Sequence, residues 1–146
     1  EEVRRILKGR GMLLLAIENR YYFGYFLGLV DHHSGLRFVP ILPRKIADII
    51  SRKKMGRPYL NRTYSYFELK DIFKKLGFRV LKVYVGIPDY ILPKEIVDID
   101  DKDNVRKKFN SVERGRFRRI VWGVIIRLGL IKFFGNNFIV VCTRAI

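Results

Sequence analysis

Chemistry in this sequence must come from a short inventory: two histidines, one cysteine and a few acids placed at the ends of apolar runs. Glu18 opens a polar triplet, Glu18-Asn19-Arg20, directly after the apolar run Met12–Ile17. A polar group at the carboxyl end of a buried strand stands where open α/β sheets place their ligands. Asp89 has the same kind of setting in Gly86-Ile87-Pro88-Asp89-Tyr90, after a second apolar run. His32 and His33 lie in Asp31-His32-His33-Ser34-Gly35, and an imidazole with an ordinary pKa of about 6.5 suits general-base work near neutrality. Neighbouring side chains face one ion with difficulty, and no third imidazole or thiolate completes a zinc set, so no metal is expected. Cys142, alone, excludes an internal disulfide and fits a reducing, cytoplasmic setting. No Gly-rich phosphate loop follows a strand, and no Gly-x-Ser-x-Gly nucleophile elbow occurs.

Elements must hold these residues in place. A length of 146 residues predicts a single domain. Val3, Ile6 and Leu7 share one face of an opening helix that Gly9 and Gly11 stop. Met12–Ile17, apolar throughout, reads as a strand covered on both faces in a parallel sheet. The aromatic, glycine-rich stretch from Tyr21 leads to a helix that starts at Leu42-Pro43 and presents Ile46, Ile49 and Ile50; residues 21–62 together form a loop-and-helix insertion. Ser65-Tyr66-Phe67-Glu68 is a capping box, which predicts a helix to Leu76 with Gly77 as its left-handed stop. Phe78–Val85 reads as a strand, so that strand, helix and strand form a right-handed crossover of a parallel sheet. Residues 94–134 form a basic insertion: a charged, turn-rich stretch, then a helix capped by Asn110 or Ser111 that runs through Arg114–Arg119 to Leu130. A last strand, Phe138–Cys142, follows a short turn and is expected to run antiparallel at the end of a mixed sheet.

Thirty basic residues against 14 acidic ones give a formal charge of +16. Such a balance points to an anionic partner. Nucleic acid is one reading, although no helix-turn-helix or RNA-recognition signature accompanies the charge. An anionic membrane surface is another, with Arg114–Arg119 on headgroups and Ile120–Leu130 in the interface. That apolar run falls short of the roughly 20 residues a membrane span needs. The absence of glutamine, with abundant charge, follows the direction of thermophile proteins.

Several pieces in order resemble class I S-adenosylmethionine-dependent methyltransferases, in a subgroup associated with glycan biosynthesis. Lys8-Gly9-Arg10-Gly11 before Met12–Ile17 looks like the Pro-Gly-Gly turn and fifth strand of that family, without its proline. Ala16-Ile17-Glu18-Asn19-Arg20, His33-Ser34-Gly35, Thr63-Tyr64-Ser65 with Glu68-Leu69, Pro88-Asp89-Tyr90 with Leu92-Pro93, and Asn137–Val141 follow in the subgroup's order. The resemblance implies an α/β fold: the C-terminal part of a Rossmann-like sheet ordered 3-2-1-4-5-7-6, with strands 5, 6 and 7 here and the last antiparallel. It implies S-adenosylmethionine as cofactor, held by an N-terminal half that precedes Glu1, so that this chain alone is inactive. His33 or Glu18 then takes the acceptor's proton, and Asn19, Arg20, Tyr22, Tyr66 and Asp89 bind a small polar or glycan acceptor, free or lipid-linked.

Overall fold

Four strands and seven helices, described over residues 2–145 of a computed structural model, arise largely where apolar periodicity demands them. In chain order they are α1 (Glu2–Ile6), β1 (Met12–Glu18), α2 (Phe23–Phe26), α3 (Arg44–Met55), α4 (Tyr66–Lys75), β2 (Phe78–Ile87), β3 (Glu95–Asp98), α5 (Lys102–Val112), α6 (Arg116–Arg127), α7 (Ile131–Phe134) and β4 (Asn137–Arg144), with a short 3-10 turn at Val39–Ile41. The class is α/β. Among the described residues, no helix is long and apolar enough to cross a membrane.

The sheet order is β1-β4-β2-β3, and every pairing is antiparallel. This corrects two expectations. β1 and β2 point the same way, as a crossover through α4 requires, but β4 lies between them and they never pair. The last strand is therefore central, and the end of the sheet is a hairpin strand, β3, that its charged sequence concealed. A strand that returns through a short turn meets the preceding strands head to tail, and antiparallel pairing is the geometry that such a connection permits.

One face of the sheet holds the core. Leu13, Leu15 and Ile17 of β1, Phe138, Val140 and Cys142 of β4, and Val83, Val85 and Ile87 of β2 meet Leu69 and Phe73 of α4, Val105 and Phe109 of α5, and Trp122, Ile125 and Ile126 of α6. The opposite face carries the alternate residues, and there Met12 and Leu14 are 67% and 65% exposed. Met12–Ile17 is thus a one-faced edge strand rather than one buried on both sides, since among the described residues one layer of helices packs on this sheet.

The helices follow their caps. Ser65 and Glu68 complete the capping box of α4, and Gly77 takes a φ of 74° behind it. α5 is capped by Asp101, whose carboxylate accepts from the Asn104 amide at 3.1 Å. Asn110 and Ser111, expected as caps, lie inside α5, and the next helix begins at Arg116 beyond Gly115. Val105 and Phe109 are the buried residues of α5, with Val112 partly covered behind them, a stripe too sparse to stand out among charges. In α3 the buried residues are Ala47 and Ser51, with Ile50 partly covered, whereas Ile46 and Ile49 are exposed. Ala47 packs with Val39 and Tyr59 in a small second core within the 21–62 segment.

Candidate functional site

A cleft of about 360 Å³ opens beyond the carboxyl ends of β1 and β2. Glu18, Tyr22, Tyr25, His32, Asp89 and Arg118 line it, together with Tyr90 and Asn136. Four residues singled out in the sequence therefore meet there: Glu18, Tyr22, His32 and Asp89. Each arrives from a different element, and local chemistry fixes each arrival.

Glu18 ends β1 opposite Asn137. Its side chain is only 12% exposed, and its two oxygens face different partners: Oε1 lies 3.3 Å from His32 Nε2, and Oε2 accepts from the Tyr25 hydroxyl at 3.2 Å. Burial, and then the carboxylates of Glu18 and Asp31, push the Tyr25 phenol well above its ordinary value, so it stays a donor to Glu18. Tyr22 stacks edge-on against Phe23 and Tyr25. A Cβ at Gly24 would stand 2.6 Å from the Tyr22 ring, so glycine there makes room for it. The Tyr22 hydroxyl is also raised, chiefly by burial and against the lowering pull of Arg118.

Asp89 enters on the turn after β2. Its Oδ1 accepts from the amides of Ile91 and Leu92 at 2.8 and 3.0 Å, an arrangement that holds the turn. The turn folds tightly back on Gly86, where an added Cβ would meet the Asp89 carbonyl oxygen at 2.6 Å. The Asn136 amide donates to the Pro88 carbonyl and ties the same turn to the start of β4.

The histidine loop hangs from Asp31, which is wholly buried. Its carboxylate accepts from the His33 amide at 3.2 Å, the Ser34 hydroxyl at 2.6 Å and the Tyr59 hydroxyl at 3.0 Å. His32 and His33 project from this anchor with ring centroids 4.1 Å apart. His32 lines the cleft, whereas His33 lines a neighbouring cavity with Ser34, Tyr59 and Asn61. The imidazole beside Glu18 is therefore His32, and His33 stands behind it.

No protein-family model, curated protein or solved structure matches the chain. Roles for these residues rest on their geometry.

Three of the residues expected to bind the acceptor lie away from this cleft. Asn19 is fully buried: its Nδ2 donates to the carbonyls of Phe133 and Gly135, each at 2.7 Å, and its Oδ1 accepts from the Tyr21 amide. Both of its amide protons are used, and the buried side chain has no surface open to a ligand. Arg20 points to another cavity, where it pairs with Glu68 at 3.2 Å and donates to the Leu42 carbonyl at 2.8 Å. Tyr66 is buried on α4 against Phe138. Sequence position alone could not separate these from Glu18, because the direction of the chain after β1 decides which neighbour turns inward. Tyr25, Tyr90, Arg118 and Asn136 were hidden for the opposite reason, each lying in a run of its own kind or in a turn with no distinguishing spacing.

Proposed function

We propose that this chain forms the acceptor side of a class I S-adenosylmethionine-dependent methyltransferase that acts on a polar, glycan-like acceptor. The observation that carries the reading is the strand arrangement. Two co-directional strands, β1 and β2, flank an antiparallel β4, and the cleft lies beyond the carboxyl ends of the first two. Strands 5, 7 and 6 of the methyltransferase order have this relation, and ligands of open α/β sheets sit at that edge.

S-adenosylmethionine supplies the transferred methyl group. No Gly-rich turn after a strand is present in this sequence to hold it, so the reading places the cofactor on strands beyond the free edge of β1. Exposed Met12 and Leu14 beside that edge suit such a neighbour. This chain's own residues act on the acceptor. Tyr22 and Asp89 bound the cleft and orient hydroxyls, and Glu18 Oε1, beside His32 at 3.3 Å, accepts the proton that an acceptor hydroxyl gives up as its oxygen is alkylated. His33 supports His32 from behind and is not the group nearest the cleft.

Helix α6 favours an acceptor carried on an anionic lipid surface. Phe117, Ile120, Val124 and Leu128 recur at helical spacing and are all exposed, while Trp122, Ile125 and Ile126 fill the core from the other side. Arg116, Arg119 and Arg127, all exposed, flank that stripe along one side of the helix, the pairing of apolar and basic groups that seats a helix in a headgroup layer.

Methyl transfer from labelled S-adenosylmethionine to soluble and lipid-linked glycans tests the reading, with this chain joined by the cofactor-binding half that the resemblance implies. Glu18→Gln is expected to lower transfer by about 10²-fold or more, with the fold intact by circular dichroism. Unchanged transfer removes Glu18 from the chemistry. Absence of transfer, with tight and steeply salt-dependent retention on DNA, replaces the reading by a nucleic-acid-binding one.

A further inference from the structure

We infer that Glu18, His32 and His33 form a binding site for a borderline divalent cation of the zinc class at the mouth of the cleft. The sequence argued against this, because side chains on adjacent residues ordinarily diverge. Here the loop overrides that tendency. The ligand atoms of all three residues lie within 4.8 Å of one another, and the two imidazoles have centroids 4.1 Å apart with their planes tilted by 37°. His32 Nε2 and Glu18 Oε1 are 3.3 Å apart. Two ligands on one tetrahedral ion, with bonds of about 2.1 Å, sit about 3.4 Å apart. That pair is therefore already at the spacing an ion requires, and the exposed rings close the rest by rotation.

The support behind the ligands is of the kind that metal sites need. Tyr25 donates to the Glu18 oxygen that faces away from His32, leaving the near oxygen free to coordinate. Asp31 fixes the backbone from which both imidazoles project, through the His33 amide, and is itself held by Ser34 and Tyr59. Such outer contacts orient ligands and raise affinity. Arg118, the one arginine or lysine among the residues that line the cleft, is paired with Glu113 at 3.1 Å. Two imidazoles and one carboxylate suit zinc, cobalt or nickel better than calcium or magnesium, which favour all-oxygen sets.

Three protein ligands leave a position open toward the cleft, the arrangement of catalytic rather than structural zinc sites. An acceptor hydroxyl bound there loses its proton to solvent more easily, and Glu18 then serves as the ion's ligand instead of as the base. That role rests on the methyl-transfer reading, whereas cation binding itself does not.

Calorimetry with zinc chloride on the protein decides the matter without any activity assay. One-to-one binding is expected, weakened at least tenfold in Glu18→Gln and more in the double variant His32→Ala/His33→Ala, with each fold checked by circular dichroism. Cobalt substituted at the site should give the visible absorption of a four- or five-coordinate ion, lost in the double variant. Absence of one-to-one binding, or equal affinity in the double variant, overturns the inference. Methyl transfer by a protein that binds no zinc in calorimetry overturns this site and leaves the proposed function standing. Zinc held by these three residues without any transfer does the reverse.

Discussion

Glu18 and Asn19 are consecutive, polar and mostly or wholly withdrawn from water, yet they belong to different regions. Asn19 belongs to a seam beneath the cleft in which buried side-chain amides are matched. Its amide binds the Phe133 and Gly135 carbonyls, and Asn137, also buried, exchanges hydrogen bonds with Gly86 in both directions at 2.9 Å. Glu18 belongs to the cleft wall, where a carboxylate meets one phenol and one exposed imidazole and keeps acceptor capacity in reserve. The seam joins the start of β4 to β1 and β2, so it sets the positions from which the cleft residues depart. Chemistry is available where hydrogen bonding is incomplete, and rigidity comes from where it is complete.

The largest expected effect is on the seam. Asn19→Ala removes two donors and one acceptor, and it strips the Phe133 and Gly135 carbonyls and the Tyr21 amide of these partners, with the Gly135 hydrogen bond in the sealed interior. A loss of about 3 kcal/mol is expected, read as a shift of the urea midpoint at constant slope. A loss under about 1 kcal/mol would erase the distinction between seam and wall.

Next comes pH, which acts on the histidine loop. Tyr25 and Tyr59 are both raised above the ordinary phenol value of 10.0, first by burial and then by Asp31 or Glu18. A folded pKa above the unfolded one stabilises the fold below the unfolded value and is lost as pH climbs. Stability should therefore fall from about pH 10 upward, on the order of 1 kcal/mol within the first pH unit for each phenol. Denaturant melts of the protein and of Tyr59→Phe across that range measure it, and the variant should show a shallower decline. Equal declines would show that Tyr59 is not held neutral by Asp31.

The division between seam and wall was only partly legible in the sequence. The capping box at Ser65 and the apolar runs of β1, β2 and β4 appear where their spacing places them, because local propensity and core burial agree there. β3 and α5 were obscured, because two buried residues apiece or fewer anchor them amid charge. The strand order depends on pairing between residues more than a hundred positions apart, such as Ile17 with Phe138, which no local pattern records. Glu18 and Asp89 were legible because strand ends mark the cleft. Asn19 was not separable from Glu18, since a residue's direction after a strand is set by what waits for it, here the carbonyls exposed at the end of α7.

The smallest stability effect is the sharpest test. In Glu18→Gln the substituted amide oxygen still accepts from Tyr25, while the ion pair with half-exposed His32, which disappears, is one that solvent screens. Removing the charge also relieves a mostly buried carboxylate that shares its surroundings with Asp31, both acting on Tyr25. The expected change lies between zero and a gain of about 1 kcal/mol, the usual sign when a group retained for function is neutralised. Asn19→Ala and Glu18→Gln should thus move stability in opposite directions from adjacent positions. A loss above about 1 kcal/mol in Glu18→Gln would make the carboxylate a structural partner of Tyr25, and the cleft would then lack the one acidic group placed to take a proton or hold a cation.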